Sequence, residues 1–420
     1  MSGYYKPNCF ELKIDTFSDI DIAKSIKDPN DCTYTSTFIH EYVHFLQSLT
    51  TTTGLYHFFL DMKEFIHYKT LMYKTDGYIF PNQIKLNNDY NLLANREIIV
   101  ATYGDNQIKI ENSKFINYTH SELTIKSNDV TPDVKLNKYE VNLFDDIKSE
   151  KIKVHFGTFH LKEYMAYAIQ RKGFPETLLD EVPYKLVELI IKSIYPNFDN
   201  VDYIIALCDA SLMYDNPAKL FLESIERMKK ENWLPQNIDD IYEFSYFSIG
   251  GSEVIIDYYE MVLQNTSLSF KGIFDGEYFQ NNVKWFEYIL SQAEKLRKLN
   301  RGFFSELTES TDKIYTKTFI KILNTIGTPF MLNNNFNGSM VLPDEINYDV
   351  KPFYPSAVFS ILRNLRSPHN YGCALKNFCD ASGIETNDNC INSPWLRIKD
   401  DMICSYGHIL ALHGLKEFIK

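Results

Sequence analysis

The chain has 420 residues, a formal net charge of −12 and a sequence pI near 5.4, with 45% hydrophobic and 15% aromatic residues. That composition buries a large core and excludes a disordered or fibrous chain. The acidic balance excludes nucleic acid as an expected partner, because recognition of a phosphate backbone needs clustered positive charge.

The first seventeen residues carry no basic region followed by an apolar stretch, so no signal peptide is expected. No apolar run approaches the ~18 residues of a membrane span. The most apolar stretch, 201–213, is interrupted by Asp202 and Asp209. A soluble cytoplasmic protein without a membrane partner is expected. The seven cysteines are an odd number in a long chain and read as reduced thiols. Cys373, Cys379, Cys390 and Cys404 crowd the last fifty residues, but no tight C-x(2–4)-C pair marks a structural zinc site. Buried free thiols are expected there.

In chain order, the first 75 residues end in helix-like sequence over 56–73. From 77 to 154 the character changes to short β-branched and aromatic runs, at 97–103, 107–110, 123–125 and 151–156, separated by Asn, Asp and Gly. Helices then dominate, with spans expected at 159–172, 181–194, 217–231, 251–264 and 278–299. A break at Trp233-Leu234-Pro235 suggests two units. The first, 1–235, is a metal-binding domain with a strand-rich insertion at 77–156. The second, 236–420, is mainly helical. The fold class is α+β: a helix, a strand region, then a second helix that returns to the site.

The informative segment is 35–49, TSTFIHEYVHFLQSL, which contains His40-Glu41-Tyr42-Val43-His44. In a helix, residues four apart share a face, so both imidazoles reach one ion while Glu41 sits beside it rather than on it. Winding the segment at 100° per residue puts Thr37, His40, Glu41, His44, Gln47, Ser48 and Thr51 in one arc, with apolar side chains filling the other. The bland reading is two satisfied polar histidines on a buried helix, but paired imidazoles need partners that a metal supplies. The helix is expected to end at the threonine run 50–53 with Gly54 as a left-handed cap, a second helix starting near Leu55.

Two histidines leave a zinc site incomplete, since catalytic sites usually hold three protein ligands and one open position. A continuation H-x-x-G-x-x-H is excluded, because Gln47 and Thr50 stand where the Gly and the last His would be. The best third ligand is Glu163, on a helix expected to be N-capped by Thr158 and to present His160, Glu163, Tyr167 and Gln170 on one face. His160, Asp209, Glu223 and Glu226 are the competitors, and Gln47, His160 and Tyr167 are candidates to support the ligands by hydrogen bonding.

These residues resemble the Glu-ligated branch of the zincin metallopeptidases. More narrowly, His40-Glu-Tyr-Val-His-Phe-Leu-Gln47, followed by a helical Glu about 120 residues later, resembles a loose group of bacterial H-E-Y-x-H-F-x-Q proteins. The resemblance covers residues 30–60 and 150–173. It implies a zincin-like fold, Zn2+ held by His40, His44 and Glu163, and Glu41 as catalytic base. It also implies a Tyr, His or Arg that stabilises the oxyanion, which no motif identifies. His369, His408 and His413 are candidates; His57 and His67 read as ordinary helix histidines, although His57 could reach the edge of the site. Gly250-Gly251 reads as a helix-start turn.

The function expected is that of a zinc-dependent endopeptidase acting on an intracellular protein or peptide. A catalytically silent zinc-stabilised scaffold and a zinc hydrolase of a non-peptide bond are the alternatives. An intracellular protease needs restraint, by narrow specificity, a regulatory partner or a covering segment, and the C-terminal region could supply it.

Overall fold

The structure, a computed structural model, describes residues 2–74, 90–126, 133–366, 371–400 and 403–415. It opens with strands β1 (Gly3–Lys6) and β2 (Glu11–Ile14), a short helix α1 (Ile22–Lys27), and then α2 (Thr35–Thr50), the motif helix. The all-round burial of α2 follows from its composition. Phe38 and Tyr42 pack on Phe319, and Phe45 meets Tyr5 and Phe10 edge-on.

Helix α3 (Thr52–Lys74) follows after a single extended residue, Thr51. Gly54 is not a left-handed cap: it lies in the first turn of α3, where a Cβ would sit 2.3 Å from the carbonyl oxygen of Gln47. The glycine is needed for close approach of two helices.

Helix α4 (Tyr90–Tyr103) contains the run 97–103 expected as a strand. Its exposed Glu97 and Val100 and buried Ala94 and Ala101 recur at helical spacing, and Arg96 pairs with Asp61 and Glu64 of α3. That ion-paired seat outweighs the β preference of Ile98, Ile99 and Val100. Within 107–110, also expected as a strand, only Ile110 pairs, in an isolated bridge to Val182.

Strands β3 (Ser113–Ile125), β4 (Val134–Asp145) and β5 (Glu150–Phe156) form an antiparallel sheet in that order. β5 feeds α5 (Thr158–Gly173) through Gly157, whose hypothetical Cβ would lie 2.3 Å from the Thr102 carbonyl oxygen. Gly157, not Thr158, holds the N-cap position, and the Thr158 hydroxyl donates instead to Thr102 O at 3.1 Å. The effect is to seat the start of α5 on the end of α4, beside α2.

The remaining helices are α6 (Glu181–Tyr184), α7 (Leu186–Ile194), α8 (Val201–Leu212), α9 (Pro217–Glu231), α10 (Ile238–Phe247), α11 (Ser252–Ile273), α12 (Gln280–Leu299) and α13 (Lys317–Ile326). β6 (Phe330–Leu332) and β7 (Gly338–Ser339) complete the first sheet, whose order is β1-β2-β6-β7 with β2 and β6 parallel. Helices α14 (Tyr354–Arg366), α15 (Lys376–Ala381), α16 (Asn389–Asn392) and α17 (Ser405–Leu412) end the described chain.

The protein is thus mixed α+β with two small sheets. The packed core runs across position 235: α10 lies on α8, α11 along α3, and α12 against α2. Among the described residues no helix is long and apolar enough to cross a membrane.

Candidate metal centre

Helices α2 and α5 pack side by side and bring His40, His44 and Glu163 together. Among the described residues this is the one group in which three His, Cys, Asp or Glu ligand atoms all lie within 4.8 Å of one another. His40 Nε2 is 3.4 Å from Glu163 Oε2, and His44 Nε2 is 3.5 Å from Glu163 Oε1.

What the other ring nitrogens do is decisive for the chemistry. His40 Nδ1 meets Gln170 Oε1 at 3.1 Å, and His44 Nδ1 meets Gln47 Oε1 at 2.8 Å. Both glutamines are oriented by donating elsewhere: Gln170 Nε2 to Ser36 O and Oγ, and Gln47 Nε2 to the Lys162 carbonyl. An amide oxygen only accepts, so each Nδ1 carries the hydrogen, and a ring without a second proton turns the lone pair of Nε2 toward Glu163.

Two lone pairs facing a carboxylate is an arrangement that needs positive charge between them. Burial by itself would raise the Glu163 carboxyl. Charged His44, followed by hydrogen bonds from His40 and His44, would outweigh it and hold the group well below the usual carboxylate range. A metal ion supplies the same charge without protonating the rings. This cluster could hold a metal ion.

Glu41 is buried on the same helix, near the Tyr5 backbone of β1. Burial pushes its carboxyl up to about 7, His40 opposing and Glu163 reinforcing the shift. The two glutamates of the site are therefore driven in opposite directions.

His44 and Glu163 open onto a cleft of about 410 Å³ lined also by Tyr5, Tyr103, Phe159 and Lys162. His57 and Ile99 line this cleft and also a neighbouring cavity of about 600 Å³ between α3, α4 and the β3–β4 hairpin. On the opposite side, the ring of Tyr184 meets His40 edge-on at 5.9 Å.

The other sequence candidates lie elsewhere. His160 is fully buried, stacked on Phe156 at 5.7 Å, and is outside the trio; burial and the nearby His155 lower its pKa to about 3. Tyr167 reaches the site through Tyr184, ring centroids 6.1 Å apart. Asp209 is bound by Arg297 and Tyr242, Glu226 accepts from the Tyr118 hydroxyl, and Glu223 faces Lys219 at 4.0 Å. His408 bonds Tyr354, and His413 packs on Phe65. His67 lies farther along α3 from the motif than His57 does. His369 lies outside the described residues. Gly250 and Gly251 both have positive φ, and Gly251 N–H is spent on Tyr246 O, as a helix-start turn requires.

Sequence reasoning placed Gln170 on the ligand face but did not assign it to His40. It also missed Tyr184 and Tyr103, which no local motif distinguishes from the other 27 tyrosines. No family model, no curated protein and no solved structure matches this chain.

Proposed function

We propose that this protein is a zinc-dependent hydrolase of the zincin type, most consistent with an endopeptidase. The observation that carries the reading is the pair of glutamine-held imidazoles aimed at one carboxylate, with a fourth direction left to the cleft. Donors bonded to zinc at 2.0–2.2 Å in a tetrahedron stand about 3.3 Å apart, close to the 3.4 and 3.5 Å separations between Glu163 and the two rings. Two imidazoles and a carboxylate also match zinc's ligand preference.

When bound, the ion supplies an acidified water and polarises a substrate carbonyl. The chain's own residues do the rest. Glu41, its pKa raised by burial, takes the proton from the attacking water and passes it to the leaving amine. Gln47 and Gln170 keep the ligand rings in the required tautomer. Tyr184 and Tyr103 flank the trio, and a phenol in either place can donate to the developing oxyanion. The cleft and its neighbouring cavity share His57 and Ile99 in their linings, and a substrate lying across both would be an extended one such as a peptide. A silent scaffold would have no use for Glu41 beside an open position.

The test is elemental analysis followed by a screen against unfolded polypeptides. Protein purified without chelators should carry zinc at the site, and His40→Ala and His44→Ala should lose it. Glu163→Ala, and almost equally Glu163→Gln, should weaken binding sharply with the fold retained. Glu41→Gln should keep the zinc and lose about 10²–10⁴-fold in hydrolysis. Absence of any divalent metal at this site, or full activity in Glu41→Gln, would overturn the reading.

A further inference from the structure

The four cysteines near the C-terminus, scattered over the sequence without a metal-binding spacing, line one small cavity. Cys373 stands in the loop before α15, Cys379 within α15, Cys390 within α16, and Cys404 at the N-cap of α17. The void between them is about 10 Å³, room for a single atom-sized guest. Two of the four positions are tied directly, the Cys373 N–H donating to the Cys390 carbonyl at 2.7 Å. Cys373 and Cys379 each lie within electrostatic reach of both Cys390 and Cys404.

We propose that Cys373, Cys379, Cys390 and Cys404 form a second, structural metal site that takes one zinc ion as a tetrathiolate. Zinc favours four sulfurs in a closed tetrahedral shell, and such sites contribute folding energy directly. The segment needs that energy: its helices have six, four and eight residues, too short to persist alone, and are joined by loops. Nothing in the shell resembles a catalytic site, for all four donors come from the chain and the cavity has no room for a substrate.

Binding releases the four thiol protons to solvent and leaves a unit of charge −2. Arg397, buried at the cavity wall and within electrostatic reach of Cys390 and Cys404, and Lys376 beside it offset part of it. The sulfurs stand wider than a closed shell requires, since no three of them meet the 4.8 Å spacing that the histidine site satisfies. Closing the shell therefore requires the sulfurs to move inward, each about its one side-chain torsion.

Cobalt separates the two sites, because a thiolate ligand gives a sulfur-to-cobalt charge-transfer band in the near ultraviolet and a His/His/Glu site does not. Full-length reduced protein loaded with Co2+ should show the band. The His40→Ala/His44→Ala variant should retain it, and the Cys379→Ser/Cys390→Ser variant should lose it together with one metal per chain. Should the cysteine variant fail to fold, mercurial titration of the zinc-loaded parent decides: one zinc should be released to a chromogenic chelator in step with four thiols. No charge-transfer band in the reduced parent, or thiol titration that releases no zinc, would overturn the proposal. So would disulfides in the purified protein whose reduction leads to no metal uptake. None of these outcomes depends on hydrolytic activity or on the fate of the histidine site.

Discussion

Asp209 and Glu163 are carboxylates on helices that pack against each other, α8 and α5, and the protein treats them in opposite ways. Asp209 is fully buried and saturated. The Arg297 guanidinium grips both its oxygens, Nη2 to Oδ1 at 2.6 Å and Nη1 to Oδ2, and Tyr242 donates to Oδ2 at 2.7 Å. Arg297 then reaches the end of the motif helix, Nε donating to Thr50 O. Glu163 faces two ring lone pairs and a cleft, and among the described residues no lysine or arginine forms an ion pair with it. A buried carboxylate whose charge the protein neutralises is a structural member. One whose charge is left for a guest marks a site, and here the first braces the helix whose histidines face the second.

The contrast can be broken most forcefully at Asp209. Asp209→Ala strands the Arg297 guanidinium and should cost about 3–5 kcal/mol in urea unfolding. A loss below about 1 kcal/mol would mean that the pair is not the brace described.

Glu41 offers the next effect, in the metal-free protein. Its folded pKa, raised by burial to about 7 from an ordinary 4.5, means the folded state prefers the protonated form. Its contribution to stability is present below about pH 4.5 and is lost as pH rises through 7. Glu41→Gln keeps the shape of the side chain and removes the titration. Relative to the parent it should gain at most about 3 kcal/mol at pH 8 and nothing at pH 4. Equal differences at both pH values would show that burial is not what shifts this group.

A smaller effect is expected at the glutamines. Gln47→Ala or Gln170→Ala leaves all three ligands in place but frees a ring, and metal affinity should fall about 10–100-fold in chelator competition. Unchanged affinity would show that the rings are oriented by packing alone. The smallest effect belongs to the exposed competitors: Glu223→Gln and Glu226→Gln should stay within about 0.5 kcal/mol of the parent and keep full metal content.

Much of this was legible in the chain itself where the determinants are local. The two-faced pattern of α2 announces a buried helix with one polar stripe, and the histidine spacing needs nothing beyond 3.6 residues per turn. The helix over 217–231 was readable residue for residue, because Asn216 caps it, Pro217 opens it and Asn232 ends it in the left-handed region. Glu163 was identifiable as the centre of a polar face, but its meeting with His40 and His44 across more than a hundred residues depends on α5 packing on α2.

Tertiary structure alone decided the rest. Residues 97–103 have strand-like composition, and they are helical because the seat between α3 and α5, with Arg96 clamped to Asp61 and Glu64, accepts only a helix. Gly54 reads in the sequence as a helix cap, yet it and Gly157 are both there because another backbone comes within reach of where a Cβ would be. The assignment of Gln170 to His40 and the gathering of four unpatterned cysteines around one void join residues far apart in sequence. Short-range periodicity carries no record of such meetings. The sequence by itself determined which side chains could do the chemistry; how the helices pack decided which of them meet, since convergence of donors depends on where whole elements come to rest.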